Sequence, residues 1–198
     1  MARLIHLVRH GHHALLGRIL CGRMKGIELD DIGCGEMARC AEAVAPRPTL
    51  IQSSPQRRCM QSACILAAHF GLRVEIVPAL DELDYGEWTG RSFDDLAPDP
   101  RWSRWNRRRS TSRPPGGESM RSLQNRTVAH LEQLRSDGSP DIVVAVSHAE
   151  PIRAALLYYS RMPFDDFLSI EIDSASISTL RADGGGMKII GINQRVPA

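Results

Sequence analysis

Four short segments carry residues that suit phosphoryl transfer. Arg9-His10-Gly11 follows directly on the apolar run 4–8, so a strand ends in a cation, an imidazole and a flexible glycine. A neutral imidazole is a competent nucleophile toward phosphorus, and a guanidinium offers forked N–H donors to phosphate oxygens. Glycine lets the backbone approach a ligand without a Cβ in the way. A histidine at a strand end is by itself more often structural; its two neighbours shift that balance. Arg58 lies in Ser53-Ser54-Pro55-Gln56-Arg57-Arg58, in the first turn of a predicted helix, where free N–H groups favour anions. The alternative is that Arg57 and Arg58 both face solvent. His148 follows the apolar run 142–146 and can donate to the equatorial oxygens of a transferring phosphoryl group. Glu82 is a candidate proton donor to a leaving oxygen, with Asp81 and Asp84 as chemical rivals.

His12 and His13 extend the first motif and raise the question of a metal. Metal sites draw ligands from several elements with carboxylate or thiolate help, and Arg9 beside the site repels a cation. No metal is expected. The five cysteines, Cys21, Cys34, Cys40, Cys59 and Cys64, are scattered without zinc-like pairs and read as reduced, mostly buried thiols.

These groups are remote in sequence and need a scaffold that gathers them. Apolar β-branched runs at 4–8, 49–52, 73–77 and 142–146 alternate with helical patterns, which argues for a mostly parallel sheet covered by helices. In such a sheet the carboxyl ends of the strands share one edge, where ligands bind. Helices are predicted over 31–45, from about 55 to just before Gly71, over 117–135 with a stop at Asp137-Gly138-Ser139-Pro140, and over 151–160. The stretch 167–193 alternates around Ala182-Asp183-Gly184-Gly185-Gly186 and predicts a hairpin of edge strands. Such edge strands leave a monomer and a homodimer both open.

The 198 residues, with 42% hydrophobic and 24% charged, suit a single domain with a filled core. Residues 85–117 lack clean periodicity and read as an excursion beyond the sheet, a lid or specificity region. The net charge of +2 hides a local cluster, Arg101, Arg104, Arg107, Arg108, Arg109 and Arg113, interleaved with Trp102 and Trp105. A solvated face is the plainest reading of it; the rim of an anionic substrate site is the second, and a nucleic-acid patch the least favoured. With no signal-peptide core and no apolar span of membrane length, a cytoplasmic protein without membrane or nucleic-acid partners is expected.

The chain resembles the histidine phosphatase superfamily, the phosphoglycerate-mutase-like proteins. The resemblance rests on five motifs in the family's order: Leu7-Val8-Arg9-His10-Gly11; Ser53-Ser54-Pro55 leading to Arg58 and Gln61-Ser62-Ala63; Glu82 with Gly86-Glu87-Trp88-Thr89-Gly90; Pro115-Gly116-Gly117-Glu118-Ser119; and Ser147-His148. It implies a three-layer α/β/α domain over residues 1–198 and a phosphohistidine mechanism that needs no cofactor. By that resemblance His10 is the nucleophile, Arg9, Arg58 and His148 bind phosphate, Glu82 is the proton donor, and Gly22 and its neighbours offer backbone N–H groups. Glu118 sits in a turn that borders the pocket. The implied activity is that of a histidine acid-type phosphatase, a phosphomonoester hydrolase acting on a small phosphorylated metabolite. The alternatives are a phosphoglycerate-type mutase and a non-catalytic phosphate-binding module. Family members often continue the first motif with Glu-Thr or Glu-Ser and place an asparagine a few residues on. Here those positions read His12-His13 and about Leu16, so substrate choice departs from the family pattern.

Overall fold

The computed structural model describes residues 3–136 and 142–196. Six strands form one sheet in the order β3-β2-β4-β1-β5-β6, in which β1(Arg3–Arg9), β2(Leu50–Ser53), β3(Val74–Ile76) and β4(Ile142–Ser147) run parallel. The hairpin β5(Ile177–Asp183) and β6(Gly186–Gln194) adds two antiparallel strands beyond β1. The mostly parallel sheet expected from the alternation of runs is therefore present. Side chains alternate across it with period two. In β4, Val143 and Ala145 face a core shared with Leu123, Leu131 and Leu156, while Val144 and Val146 face Met37, Cys59 and Leu66. Helices α5(Met120–Ser136) and α6(Ala149–Tyr159) cover the first face, and α1(Asp31–Ala43) and α2(Arg57–Phe70) the second, which gives three layers.

Local chemistry sets the helix ends. Asp30 caps α1, its Oδ1 accepting from Gly33 N at 2.9 Å, and the helix stops at Ala43, two residues before the expected end, with Val44 already extended ahead of Pro46. Helix α2 begins at Arg57, two residues after Pro55, and ends at Gly71 in the left-handed region with φ 67°. Helix α5 starts three residues later than its predicted opening, after Ser119 accepts from Ser122 N at 3.1 Å, and α6 starts two residues earlier than predicted. The stop predicted at 137–140 lies outside the described residues. The alternating tail begins only at Ile177: residues Phe164–Ser169 form a 3-10 turn that buries Phe164 and Phe167, three apart, instead of a strand.

Residues 85–117 hold more regular structure than their pattern suggests. Ser92 caps the one-turn helix α3(Phe93–Leu96), accepting from Asp95 N, and Asp99 with Pro100 opens α4(Pro100–Arg107). Helices of four and eight residues are too short to show periodicity. The arginine cluster is not a uniformly solvated face either. Arg109 is 5% exposed, donates to Glu150 Oε2 at 3.0 Å and lies between the rings of Trp105 and Phe167, 4.7 and 3.6 Å from their centroids. Glu150 in α6 supplies the carboxylate that a buried guanidinium requires. Cys21, Cys40 and Cys59 are buried, whereas Cys34 and Cys64 are exposed, and all five are free. Among the described residues no helix is long and apolar enough to cross a membrane.

Replacing Arg109 with Met should leave Glu150 buried with only Arg153, at 3.5 Å, as an ionic partner. The expected loss is about 3 kcal/mol, read by urea unfolding, with part of it recovered in the Arg109→Met, Glu150→Gln double variant. A loss of the size of an ordinary surface change would refute the pairing.

Candidate active site

The register of two strands fixes the heart of the site. Strands β1 and β4 pair from Leu4↔Ile142 to Arg9↔Ser147, so the next residues, His10 and His148, leave the sheet side by side. Their ring centroids are 5.2 Å apart. His10 N continues the ladder by donating to Ser147 O. Behind this turn the chain passes very close to α1: a Cβ on Gly11 would lie 2.5 Å from Gly33 O, so the first motif needs glycine for space. Ser62 Oγ in α2 accepts from Gly11 N at 3.1 Å.

His10 is buried, and its Nδ1 lies 2.8 Å from Gly11 O. A carbonyl only accepts, so Nδ1 carries the proton and Nε2 the lone pair. Burial, reinforced by the Arg58 and Arg9 charges, pushes the His10 pKa well below the ordinary imidazole range and keeps the ring neutral. Arg58 reaches in from the first turn of α2 and is 2% exposed. Its Nε donates to His10 Nε2 at 3.3 Å, and its Nη2 to Gly22 O at 2.7 Å and His148 Nδ1 at 3.0 Å. Its Nη1 is buried without a partner. Arg9 is anchored by Nη1 to Ile172 O at 2.6 Å, and its Nε is likewise buried and unpartnered. Two guanidinium groups next to His10 thus each keep a buried donor without a partner.

Since Arg58 donates to Nδ1 of His148, that ring carries its proton on Nε2, which lies 2.8 Å from Ser54 Oγ. Ser54 in turn donates to Asp81 Oδ1 at 3.3 Å. His148 is fully buried behind Arg58, and burial lowers its pKa well below the usual value, with the Arg58 charge next in weight.

A cavity of about 350 Å³ opens over these groups. Arg9, His10, Gly22, Arg58 and Glu82 line it, so the structure brings five of the six site residues expected from sequence onto one wall, with His148 just behind. The three rival carboxylates separate here. Asp81 is engaged by Glu82 N at 2.8 Å and Gln56 Nε2 at 3.0 Å, and Asp84 Oδ1 accepts from Gly86 N at 2.9 Å; neither lines the cavity. Burial, with the nearby Glu150 charge, raises the Glu82 pKa to about 7. Gly22 contributes its carbonyl, as the acceptor for Arg58.

Glu118 acts through other groups. Its carboxylate binds Arg23 Nη2 at 2.9 Å and Arg126 Nε at 2.9 Å, and both arginines donate to the backbone carbonyl of Glu82. The turn that presents Glu118 fits because Gly86, at φ 52°, lies against Pro115, where any Cβ would meet Pro115 O at 2.1 Å.

Sequence reasoning missed several wall residues. His12 and His13 diverge: His12 Nδ1 pairs with Asp30 Oδ2 at 2.7 Å, whereas the buried His13 ring enters the cavity, 5.3 Å from the His10 centroid. Alternation of side-chain direction after β1 was the available signal. Glu150 was legible as the first-turn carboxylate two residues past His148. Phe93 was not, because the isolated bridge Ile19↔Ser92 brings it there from the excursion.

Residues 5–195 match the histidine phosphatase superfamily (branch 1). An uncharacterized protein of Mycobacterium tuberculosis is 31% identical over 185 residues, which cover 91% of this chain and 90% of that one. Phosphoserine phosphatase 1 of Hydrogenobacter thermophilus is 29% identical over 147 residues, covering 73% and 69%. The solved structure of a mycobacterial glucosyl-3-phosphoglycerate phosphatase superposes with a TM-score of 0.87 at 25% identity, over 98% of this chain and 100% of its own. The chain, matched along almost its whole length, belongs to the histidine phosphatase superfamily (branch 1).

Proposed function

We propose that the protein is a phosphomonoester hydrolase that acts on a small phosphorylated metabolite through a phosphohistidine on His10. The observation that carries this reading is a neutral His10 whose unprotonated Nε2 is engaged only by Arg58 Nε, next to two arginines that each keep a buried donor without a partner. The names of two relatives, a phosphoserine phosphatase and a glucosyl-3-phosphoglycerate phosphatase, support a substrate of that kind. Residues 1–198 act as one domain, in which 85–117 supplies part of the substrate wall through Tyr85 and Phe93.

Phosphate oxygens take up the free donors of Arg9 and Arg58. As Arg58 turns toward them it releases His10 Nε2 and His148 Nδ1; the His148 ring then changes tautomer by exchange with water, Nε2 giving up its proton and Nδ1 taking one, so that the Ser54 hydroxyl donates a hydrogen bond to Nε2 and Nδ1–H donates to the phosphate. Nε2 of His10 attacks phosphorus, a P–N bond forms, and the bond to the ester oxygen breaks. Gly11 O keeps hold of Nδ1–H, which spreads the positive charge developing on the ring. Glu82, protonated below about pH 7, gives its proton to the departing alkoxide. The resulting carboxylate takes a proton from water, whose oxygen attacks the phosphohistidine and releases inorganic phosphate and neutral His10. An acid-type activity rests on the same carboxyl.

His10→Ala should abolish stoichiometric release of inorganic phosphate, by at least roughly a thousandfold, together with acid-labile phosphate labelling. Wild type that neither labels nor releases phosphate would point to a binding module, and phosphate conserved on a second hydroxyl would point to a mutase.

With alkyl phosphates, kcat should be full below about pH 7 and fall as pH rises through and above it, because the acid form of Glu82 is the active one and a bound phosphate dianion holds its proton further. Glu82→Gln should remove this limb and slow alkyl phosphates about a hundredfold while slowing p-nitrophenyl phosphate far less. Equal losses on both substrates would exclude the proton-donor role.

A further inference from the structure

We infer that the leaving group of the substrate is a largely apolar alcohol, and that this site selects against a carboxylate or second phosphate on it. The inference rests on the phosphatase reading and concerns the part of the cavity that the phosphoryl chemistry does not use.

The cavity is lined by two kinds of residue. Arg9 and Arg58 are the cations among its described lining residues; Arg58 donates to His10 Nε2, and Arg9 is the neighbour of His10 in the chain. The remaining wall is built from Leu16, Ile19, Leu20, Phe93 and Ala149, with the ring of Tyr85. Its ionic group is the carboxylate of Glu150, and that carboxylate already holds Arg109 and Arg153. An anionic leaving group would therefore lose water against alkyl and aryl surface without a cation of its own. An alkyl or aryl group gains by displacing water from the same surface.

Two features that resembled supports for an anion do not serve as such. Of the arginine cluster, Arg109 is consumed by Glu150 and two rings, while Arg104, Arg107 and Arg108 frame a separate concavity with Thr111 and Ser112. None of them lines the cavity over His10. His13 does line it, with Nδ1 buried and unpartnered, yet burial together with the Arg58 and Arg9 charges pushes its pKa down to about 4. It meets a substrate as a neutral hydrogen-bonding group. Leu16, about where the family pattern expects an asparagine, adds aliphatic surface instead.

Matched substrate pairs test this on the full-length wild-type protein. Phosphoethanolamine against phosphoserine, and glycerol phosphate against 3-phosphoglycerate, differ by one carboxylate in each pair. The carboxylate-free member should have the higher kcat/KM, by roughly tenfold or more, and kcat/KM should climb about fourfold per methylene from ethyl to butyl phosphate. A cation placed on the apolar wall, Leu16→Lys, should narrow or invert the ratio within each pair. Far-UV circular dichroism and the urea unfolding midpoint report whether that variant has folded, and Phe93→Lys places a cation on the same lining from a distant part of the chain. Equal or better use of the carboxylated member in both wild-type pairs overturns the inference and leaves the phosphatase reading intact. Failure to hydrolyse every ester, p-nitrophenyl phosphate included, overturns both.

Discussion

The site is organised around one buried positive charge. Arg58 is a guanidinium held in the interior by one carbonyl and two imidazole nitrogens, with no carboxylate among its hydrogen-bond partners in the described residues. Burying such an ion is costly unless an opposite charge arrives. The protein meets part of that cost with the Gly22 carbonyl and leaves the rest to an anion. Burial, with the same charge next in weight, keeps both neighbouring imidazoles neutral, so one residue presents a free donor, helps preserve the lone pair of His10 and sets the tautomer of His148. Glu82 feels the opposing influence: burial and Glu150 hold it near the protonated state despite two arginines that pull its pKa down.

Much of this arrangement was legible in the chain because parallel strands make it so. Once 4–8, 49–52 and 142–146 are read as parallel strands, His10, Arg58 and His148 must converge on one sheet edge, and the observed pairing of Arg9 with Ser147 is the geometric expression of that convergence. Helix ends were readable to within a few residues from Asp30, Pro55 and Gly71, since capping is a local matter. Glu82 was harder, because three carboxyl groups within four residues have the same chemistry. Only the partners of Asp81 and Asp84, drawn from elsewhere in the fold, separate them.

What escaped the sequence is what depends on long-range packing. Nothing in the pattern of Arg107-Arg108-Arg109 marks the third arginine as the buried one; its place is decided by nearby Trp105 together with Phe167 and Glu150, which come from two other parts of the chain. Phe93 reaches the cavity wall for the same kind of reason, and the clamp in which Glu118 aligns Arg23 and Arg126 on the Glu82 carbonyl is assembled from three separated segments. The place of Phe93 in the cavity is thus a product of tertiary structure, while the gathering of Arg9, His10, Arg58 and His148 is a product of motif and strand register.

The ion pair between Arg109 and Glu150 also determines how this fold can be remodelled. It ties the segment beyond the sheet to the same helix that begins at His148, so substrate wall and chemical centre share one rigid support. A replacement of segment 85–117 without a cation in the place of Arg109 leaves Glu150 to Arg153 alone, and it seats well only if position 150 is changed with it. Diversification of the wall therefore proceeds by coupled substitutions across two distant stretches of chain, and a loop exchanged alone would leave a stranded carboxylate on the floor of the pocket.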